Sequence, residues 1–250
     1  MNHFQPVLMA LCHHSLSRFR PSALRSSAVA LFVSGAVVLS GCAASGSQYY
    51  SLQAVPQAIL ASAAPQIFSD AINLQGVTVP AQVDRPQLVL SGKEGTQVSV
   101  MNEALWVAPL DDEIRLAVST RLSQQLGVPD LNGSAIPEGL PLWSIRLSIQ
   151  RFEAVYQKKV VVQASWRLSR QPAGSRKALP MICSATAELG AVGGVDDVVK
   201  AYRSALGLIA DQIADQIKAA RQGQDPGRVA VSNRGSVPGL SLQGCTAGKN

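Results

Sequence analysis

The chain has 250 residues, 22 of them basic and 16 acidic, and its first 41 positions hold all three histidines, three basic residues and no acidic residue. If those positions form a removable leader, the remaining chain has no imidazole and a weak positive balance of +3. This excludes histidine-activated nucleophiles, the common zinc ligand sets and a basic footprint for nucleic acid, so we expect a non-enzymatic protein without metal or cofactor.

The first 41 residues are typical of a lipoprotein signal peptide. Three arginines between residues 18 and 25 precede an apolar run of twelve residues, 28–39, which is too short to span a bilayer as a helix. The small residues Ser40 and Gly41 then lead to Cys42. We expect cleavage before Cys42, a diacylglycerol on its thiol and an acyl group on its amine. The alternative is an N-terminal anchor helix with an incidental cysteine.

The elements that follow begin with a tether and several short strands. Residues 42–48 are small and polar, which predicts a lipidated flexible tether. A single domain is expected over residues 49–221. Its first strands are predicted at residues 49–52 and 72–79, followed by a hairpin of 87–91 and 97–101 around a glycine-containing turn.

Two helices are indicated by apolar residues at helical spacing. The first begins with acidic residues beside Pro109 and carries the stripe Leu110, Ile114, Val118, Leu122 and Leu126. The second is predicted over residues 196–220. Its apolar stripe comprises Val199, Tyr202, Leu206, Ile209, Ile213 and Ile217.

Three strands with alternating apolar residues lie between the two helices. They cover about 143–150, 160–168 and 181–189, and they place Trp143 and Trp166 in the predicted core. The resulting order, β-β-β-α-β-β-β-α, predicts an α+β fold in which an antiparallel sheet carries two helices on one face. Residues 222–250 show no periodicity and are predicted to be a disordered tail.

Two cysteines, Cys183 and Cys245, remain beyond the leader and the lipidated position. In an oxidising envelope compartment the two are a candidate disulfide that ties the tail to a strand of the sheet. The alternative is that Cys183 is a small core residue and Cys245 lies in the disordered tail.

Four segments resemble the PqiC/YmbA family of ABC-type transport auxiliary lipoproteins. They are residues 49–52 (Tyr-Tyr-Ser-Leu), 79–89 around Asp84-Arg85-Pro86-Gln87, 106–112 (Trp-Val-Ala-Pro-Leu-Asp-Asp), and 149–153 followed by 162–166. The resemblance covers about residues 42–220. Leu105 stands where the family usually has arginine, which is a departure.

The resemblance implies an outer-membrane lipoprotein on the periplasmic face, and Ala43 after the cysteine fits export to that membrane. It implies an auxiliary component of an MCE-type, PqiABC-like lipid transport system that supports envelope integrity. The implied partners are an MCE-domain (PqiB-like) protein that spans the periplasm and a PqiA-like inner-membrane protein. A homo-oligomer is also expected.

The candidate partner-contact loop consists of Asp84, Arg85 and Pro86 together with Trp106. A fixed-φ proline would hold the two charges in one geometry. The alternative is a structural turn in which the Asp84 carboxylate accepts backbone N–H bonds and Arg85 packs over Trp106.

Two other functions compete with that of a non-enzymatic, lipid-anchored adaptor of such a transport system. In the first, the protein is a lipid carrier that holds an acyl chain in an apolar pocket between the sheet and the helices. In the second, it is a hydrolase that relies on carboxylates alone, and the paired acids at the two helix starts disfavour it because they are neighbours in sequence.

Overall fold

The computed structural model describes residues 46–53, 68–92, 97–171, 180–227 and 237–247. The predicted leader, Cys42 and most of the predicted tether lie outside these residues. The strands and helices of the described residues are β1 (Gln48–Tyr50), β2 (Ala71–Leu74), β3 (Gln87–Ser91), β4 (Val98–Trp106), α1 (Leu110–Leu126), β5 (Leu142–Val155), β6 (Lys158–Gln171), β7 (Met181–Ala191), α2 (Val195–Arg221) and β8 (Leu240–Ala247).

The described strands form one sheet in the order β1-β4-β3-β5-β6-β7-β8, with β2 beside the first part of β5. The predicted α+β class and element order are confirmed in outline: the four strand segments predicted before α1 are all present, one more than the order β-β-β-α counts, and β8 follows α2. The prediction of a purely antiparallel sheet is wrong, because β1–β4, β2–β5 and β3–β5 are parallel pairs. Parallel neighbours need a long crossover connection, and α1 lies within the one that joins β2 to β5.

Both helices pack on one face of the sheet, and their predicted apolar stripes are buried throughout. Trp143 and Trp166 are also buried, as predicted. The opposite face of β5 and β6 carries the polar residues of the alternating pattern, among them Ser144, Arg146 and Arg167. One face of the sheet therefore supplies the core and the other remains open to solvent.

An ion pair closes the end of the core where both helices stop. The carboxylate of Asp70, just before β2, accepts hydrogen bonds from Arg221 Nε at 2.9 Å and Nη2 at 2.8 Å. It also accepts one from the indole N–H of Trp143 at 2.9 Å. Arg221 Nη1 in turn donates to the carbonyl oxygen of Leu126, so one side chain joins the ends of α1 and α2.

The predicted disordered tail is corrected in part, because residues 240–247 form β8 on the outer edge of β7. The sheet thus extends beyond residue 221, where the domain was expected to end. Leu240 and Leu242 are buried, but the register shifts opposite Ser184 and Ala185, which interrupts the alternation that would mark a strand. Such an irregular, glycine-containing strand gives little periodic signal.

Cys183 and Cys245 lie at paired positions of β7 and β8. The two residues form a disulfide in the structure, with 2.02 Å between the sulfur atoms. The side-chain amide nitrogen of Gln216 lies 3.2 Å from Cys183 Sγ and 3.6 Å from Cys245 Sγ, and its amide oxygen accepts a hydrogen bond from Trp166 Nε1 at 2.8 Å. The bond therefore joins β8 to the part of the sheet that α2 covers.

Candidate functional site

The segment Ser51-Leu52, just after β1, is held by both helices. Ser51 Oγ and the backbone N–H of Leu52 donate to the Glu113 carboxylate at 2.8 and 2.7 Å. The carbonyl oxygens of Ser51 and Leu52 accept from Arg203 at 3.0 and 3.3 Å. Glu113 is only 1% exposed, so the contact is sheltered from water. The segment that follows the predicted tether is therefore fixed to the body of the domain.

The loop that carries Asp84, Arg85 and Pro86 has a defined backbone. The carbonyl oxygen of Pro80 accepts from the N–H groups of Val83 and Asp84, and the carbonyl oxygen of Val83 accepts from the N–H of Arg85. The side chains of residues 84–86 are exposed. Among the described residues, no hydrogen bond reaches the Asp84 carboxylate and no Arg85 contact with the Trp106 ring is found. The contacts expected for a purely structural turn are thus missing.

Trp106 plays a different part from the other three candidate residues. Its side chain is 5% exposed, and its backbone N–H donates to the carbonyl oxygen of Pro86 at 2.7 Å. A ring this buried has almost no surface to present to a partner. The prediction that Trp106 contacts a partner is therefore not supported by its position. Trp106 fills the core edge and ties the end of the loop to β4.

A column of aromatic rings supports the loop from within. Trp106 meets Phe152 edge-on, with ring centroids 6.3 Å apart, and Phe152 stacks on Tyr202 at 3.9 Å. Burial raises the pKa of Tyr202 well above its ordinary value, and the negative charge of Glu153 adds to the rise. The column joins β4, β5 and α2, so the loop lies against a rigid base.

A cleft of about 310 Å³ opens between this loop and the sheet. Its walls include the apolar side chains of Val83, Val89 and Val98. Arg151 and Glu153 also line it and form a bidentate pair with distances of 3.0 and 2.7 Å. The hydrogen bond from Arg151 lowers the pKa of Glu153 and so favours the ionised carboxylate. The cleft offers a partner an apolar wall and a fixed ion pair.

Three of the segments that carry the family resemblance meet at this place. The loop belongs to residues 79–89, Trp106 begins residues 106–112, and the cleft takes Arg151 and Glu153 from residues 149–153. Residues 149–153 were predicted as a strand end and as part of the family resemblance, but Arg151 and Glu153 were not predicted as site residues. Their signal was a charge on each side of Phe152, on a strand whose alternation a bulge interrupts between Ile149 and Arg151.

The described residues contain no group of three or more histidine, cysteine, aspartate or glutamate side chains placed to hold a metal ion. Of the acids at the start of α1, Glu113 accepts hydrogen bonds from Ser51 and Leu52, and the Asp112 carboxylate lies 4.0 Å from Arg115 Nε. Within the same residues, neither helix combines the length and apolar character needed to cross a membrane.

Known proteins resemble this chain in sequence and in fold. The family model described as "ABC-type transport auxiliary lipoprotein component" matches residues 50–214. The "Intermembrane transport lipoprotein PqiC" of Escherichia coli (strain K12) is 25% identical over 185 residues, which cover 73% of this chain and 94% of the relative. The PqiC of Shigella flexneri matches with the same figures. A crystal structure titled "uncharacterized protein" has a TM-score of 0.52 at 21% identity, and it covers 69% of this chain and 99% of its own.

Proposed function

Because this chain belongs to the family of ABC-type transport auxiliary lipoprotein components, we propose that it is a lipid-anchored adaptor of an MCE-type, PqiABC-like lipid transport system. In this proposal it is not an enzyme, and it supports the integrity of the envelope from the periplasmic face of the outer membrane. The observation that carries the proposal is the family match over residues 50–214, which begins eight residues after Cys42.

The anchor proposal is that Cys42 carries the diacylglycerol and the N-acyl chain. Three acyl chains make a lasting anchor, whereas a single chain binds a membrane only marginally. Five residues separate Cys42 from Gln48, the first residue of β1, and the six Cα–Cα steps from one to the other span about 20 Å when the chain is extended. Since Glu113 and Arg203 hold the next segment, lipidation would keep the β1 edge of the domain within that distance of the membrane.

Fractionation and mass spectrometry test the anchor. The wild-type protein should sediment with the outer membrane and have the mass of residues 42–250 plus one diacylglyceryl group and one N-acyl group. The variant C42A should lose the acyl mass. A wild-type protein without lipid at Cys42 would contradict the anchor proposal.

The proposed partners are an MCE-domain (PqiB-like) protein that spans the periplasm and a PqiA-like inner-membrane protein. We place the contact with the MCE-domain protein at Asp84, Arg85 and Pro86 and in the adjacent cleft. Exposed charges on a backbone held by turns, above a rigid aromatic column, support this placement. Trp106 contributes by supporting the loop from the core.

Site-specific photo-crosslinking tests the contact in living cells. A photoreactive amino acid at Arg85 should yield a product with the MCE-domain protein, identified by mass spectrometry. The matched control carries the same group at Leu116, an exposed residue on α1. Crosslinks to that protein from Leu116 but not from Arg85 would contradict the proposed surface.

The competing function is a carrier that holds an acyl chain between the sheet and the helices. The cavity beside Trp106, Phe152 and Tyr202 is about 10 Å³, about the space that one water molecule occupies. At this place the packing leaves no room for an acyl chain between the sheet and the helices. A native mass spectrum of the delipidated domain separates the two: a co-purified phospholipid would favour the carrier, and its absence would count against the carrier. The same spectrum gives the number of copies in the proposed homo-oligomer.

A further inference from the structure

Two arginines face each other on the open side of the sheet. The register of β5 and β6 pairs Arg146 with Arg167, and both side chains line one cleft of about 230 Å³. Ser144 and Ser169 are the next pair on the same face, two residues along each strand, and they line the same cleft. The cleft therefore has two guanidinium groups and two hydroxyl groups within its walls.

No carboxylate neutralises this pair within the part of the chain that the structure describes. Three other arginines of the domain each form an ion pair at 2.7 or 2.8 Å: Arg121 with Asp211, Arg151 with Glu153, and Arg221 with Asp70. Arg167 instead has Arg146 on one side and the apolar Ile182 on the other. Like charges directly opposite each other on adjacent strands repel and destabilise the fold, so an anion bound between the two arginines would relieve this repulsion.

Arg146 is also held in place by an uncharged partner. Its Nε and Nη2 atoms donate to the side-chain oxygen of Gln75 at 3.1 and 2.8 Å. The backbone N–H of Gln75 in turn donates to the carbonyl oxygen of Ile145 at 2.9 Å. This support fixes the plane of the guanidinium and leaves its charge uncompensated.

We propose that this cleft is a binding site for a phosphate group, held between Arg146 and Arg167 with Ser144 and Ser169 as further donors. Arginine presents a planar fork of N–H groups that matches the oxygens of phosphate, and two forks with two hydroxyls suit a tetrahedral anion. The phosphate is either free in the periplasm or part of a phospholipid headgroup. The site stands on residues apart from the partner-contact loop and does not rest on the proposed transport function.

Isothermal titration of the mature protein in a nonionic detergent tests the site with two probes. Inorganic phosphate represents the free anion, and glycerophosphoglycerol represents the headgroup of phosphatidylglycerol without its acyl chains. The variant R167Q should weaken binding of the tighter probe about tenfold or more, because it removes one charge-assisted fork. R167K should fall between R167Q and the wild type, since lysine keeps the charge but loses the fork.

The matched control is R151Q, which removes one positive charge from the same face but from an arginine already paired with Glu153. Its affinity should stay within about twofold of wild type. Tighter binding of glycerophosphoglycerol than of phosphate would assign a lipid headgroup, and the reverse would assign the free anion. The proposal is overturned if the wild type binds neither probe, if R167Q binds as tightly as wild type, or if R151Q loses as much as R167Q.

Discussion

Replacing Cys245 with alanine is predicted to lower the free energy of unfolding by about 4 kcal/mol. The bond to Cys183 closes a loop with a sequence separation of 62 residues. In the chain-entropy model, a crosslink of that span reduces the freedom of the unfolded chain by an amount worth about 4 kcal/mol at 25 °C. The change leaves Leu240 and Leu242 of β8 in place, so most of the loss should come from the unfolded state.

The assay is urea-induced unfolding followed by tryptophan fluorescence. All three tryptophans of the chain are buried in the domain, so one signal reports the whole transition. The midpoint for C245A should fall relative to the oxidised wild type. Reductant should lower the urea midpoint of the wild type to that of C245A. It should leave the midpoint of C245A unchanged, because the predicted mature protein has no other pair of cysteines that could form a disulfide.

Two results would refute the reasoning in different ways. If two thiols react with a thiol reagent in the unreduced wild type, and reductant leaves its midpoint unchanged, the bond does not form. If the bond forms but C245A unfolds at the same urea concentration, the constraint on the unfolded chain is not what stabilises the protein. A change in slope without a change in midpoint would instead indicate that the compactness of the unfolded chain has changed or that unfolding is no longer two-state.

Three further predictions concern buried and paired charges. E113A should destabilise the domain by about 3 kcal/mol in urea unfolding, because the hydroxyl and the N–H that donate to this carboxylate lose their partner. The exposed control E138A should change stability by less than about 0.5 kcal/mol. D70A should lower the free energy of unfolding by about 3 kcal/mol in thermal unfolding, since Arg221 and the indole N–H of Trp143 then lose the carboxylate that accepts their hydrogen bonds. An unchanged Tm would count against this. Because the pKa of Glu153 is lowered in the fold, its stabilising effect exists above its ordinary pKa of 4.5 and is lost as the pH falls through the folded value. The stability difference between wild type and R151Q, well under about 1 kcal/mol for so exposed a pair, should therefore be present at pH 7 and vanish on acidification; a difference that grows in acid would reverse the assigned sign.

Local periodicity was enough to predict most elements of this fold. The stripe from Leu110 to Leu126 and the longer one from Val199 to Ile217 marked the two helices, and alternation placed Trp143 and Trp166 in the core. These predictions succeed because a residue's spacing along one helix or strand decides which side it presents to the interior. The strand predicted at residues 72–79 was less accurate, since β2 ends at Leu74 and a single bridge follows at Thr78.

What periodicity cannot report is which strands become neighbours. The parallel pairing of β2 with β5, the addition of β8 and the pairing of Cys183 with Cys245 all depend on contacts between distant parts of the chain. A strand that carries a bulge, as β8 does, loses the regular alternation by which it would be recognised.

The amino-acid sequence by itself showed that no histidine follows residue 41 and that four separate segments resemble one family, and it led to the prediction of a lipid anchor at Cys42. Only the tertiary structure decided that three of those segments surround one aromatic column, that Trp106 lies beneath the loop instead of on its surface, and that Arg146 and Arg167 share a cleft. The physical reason is that side-chain neighbours across a sheet are set by strand register, which depends on the packing of the whole core.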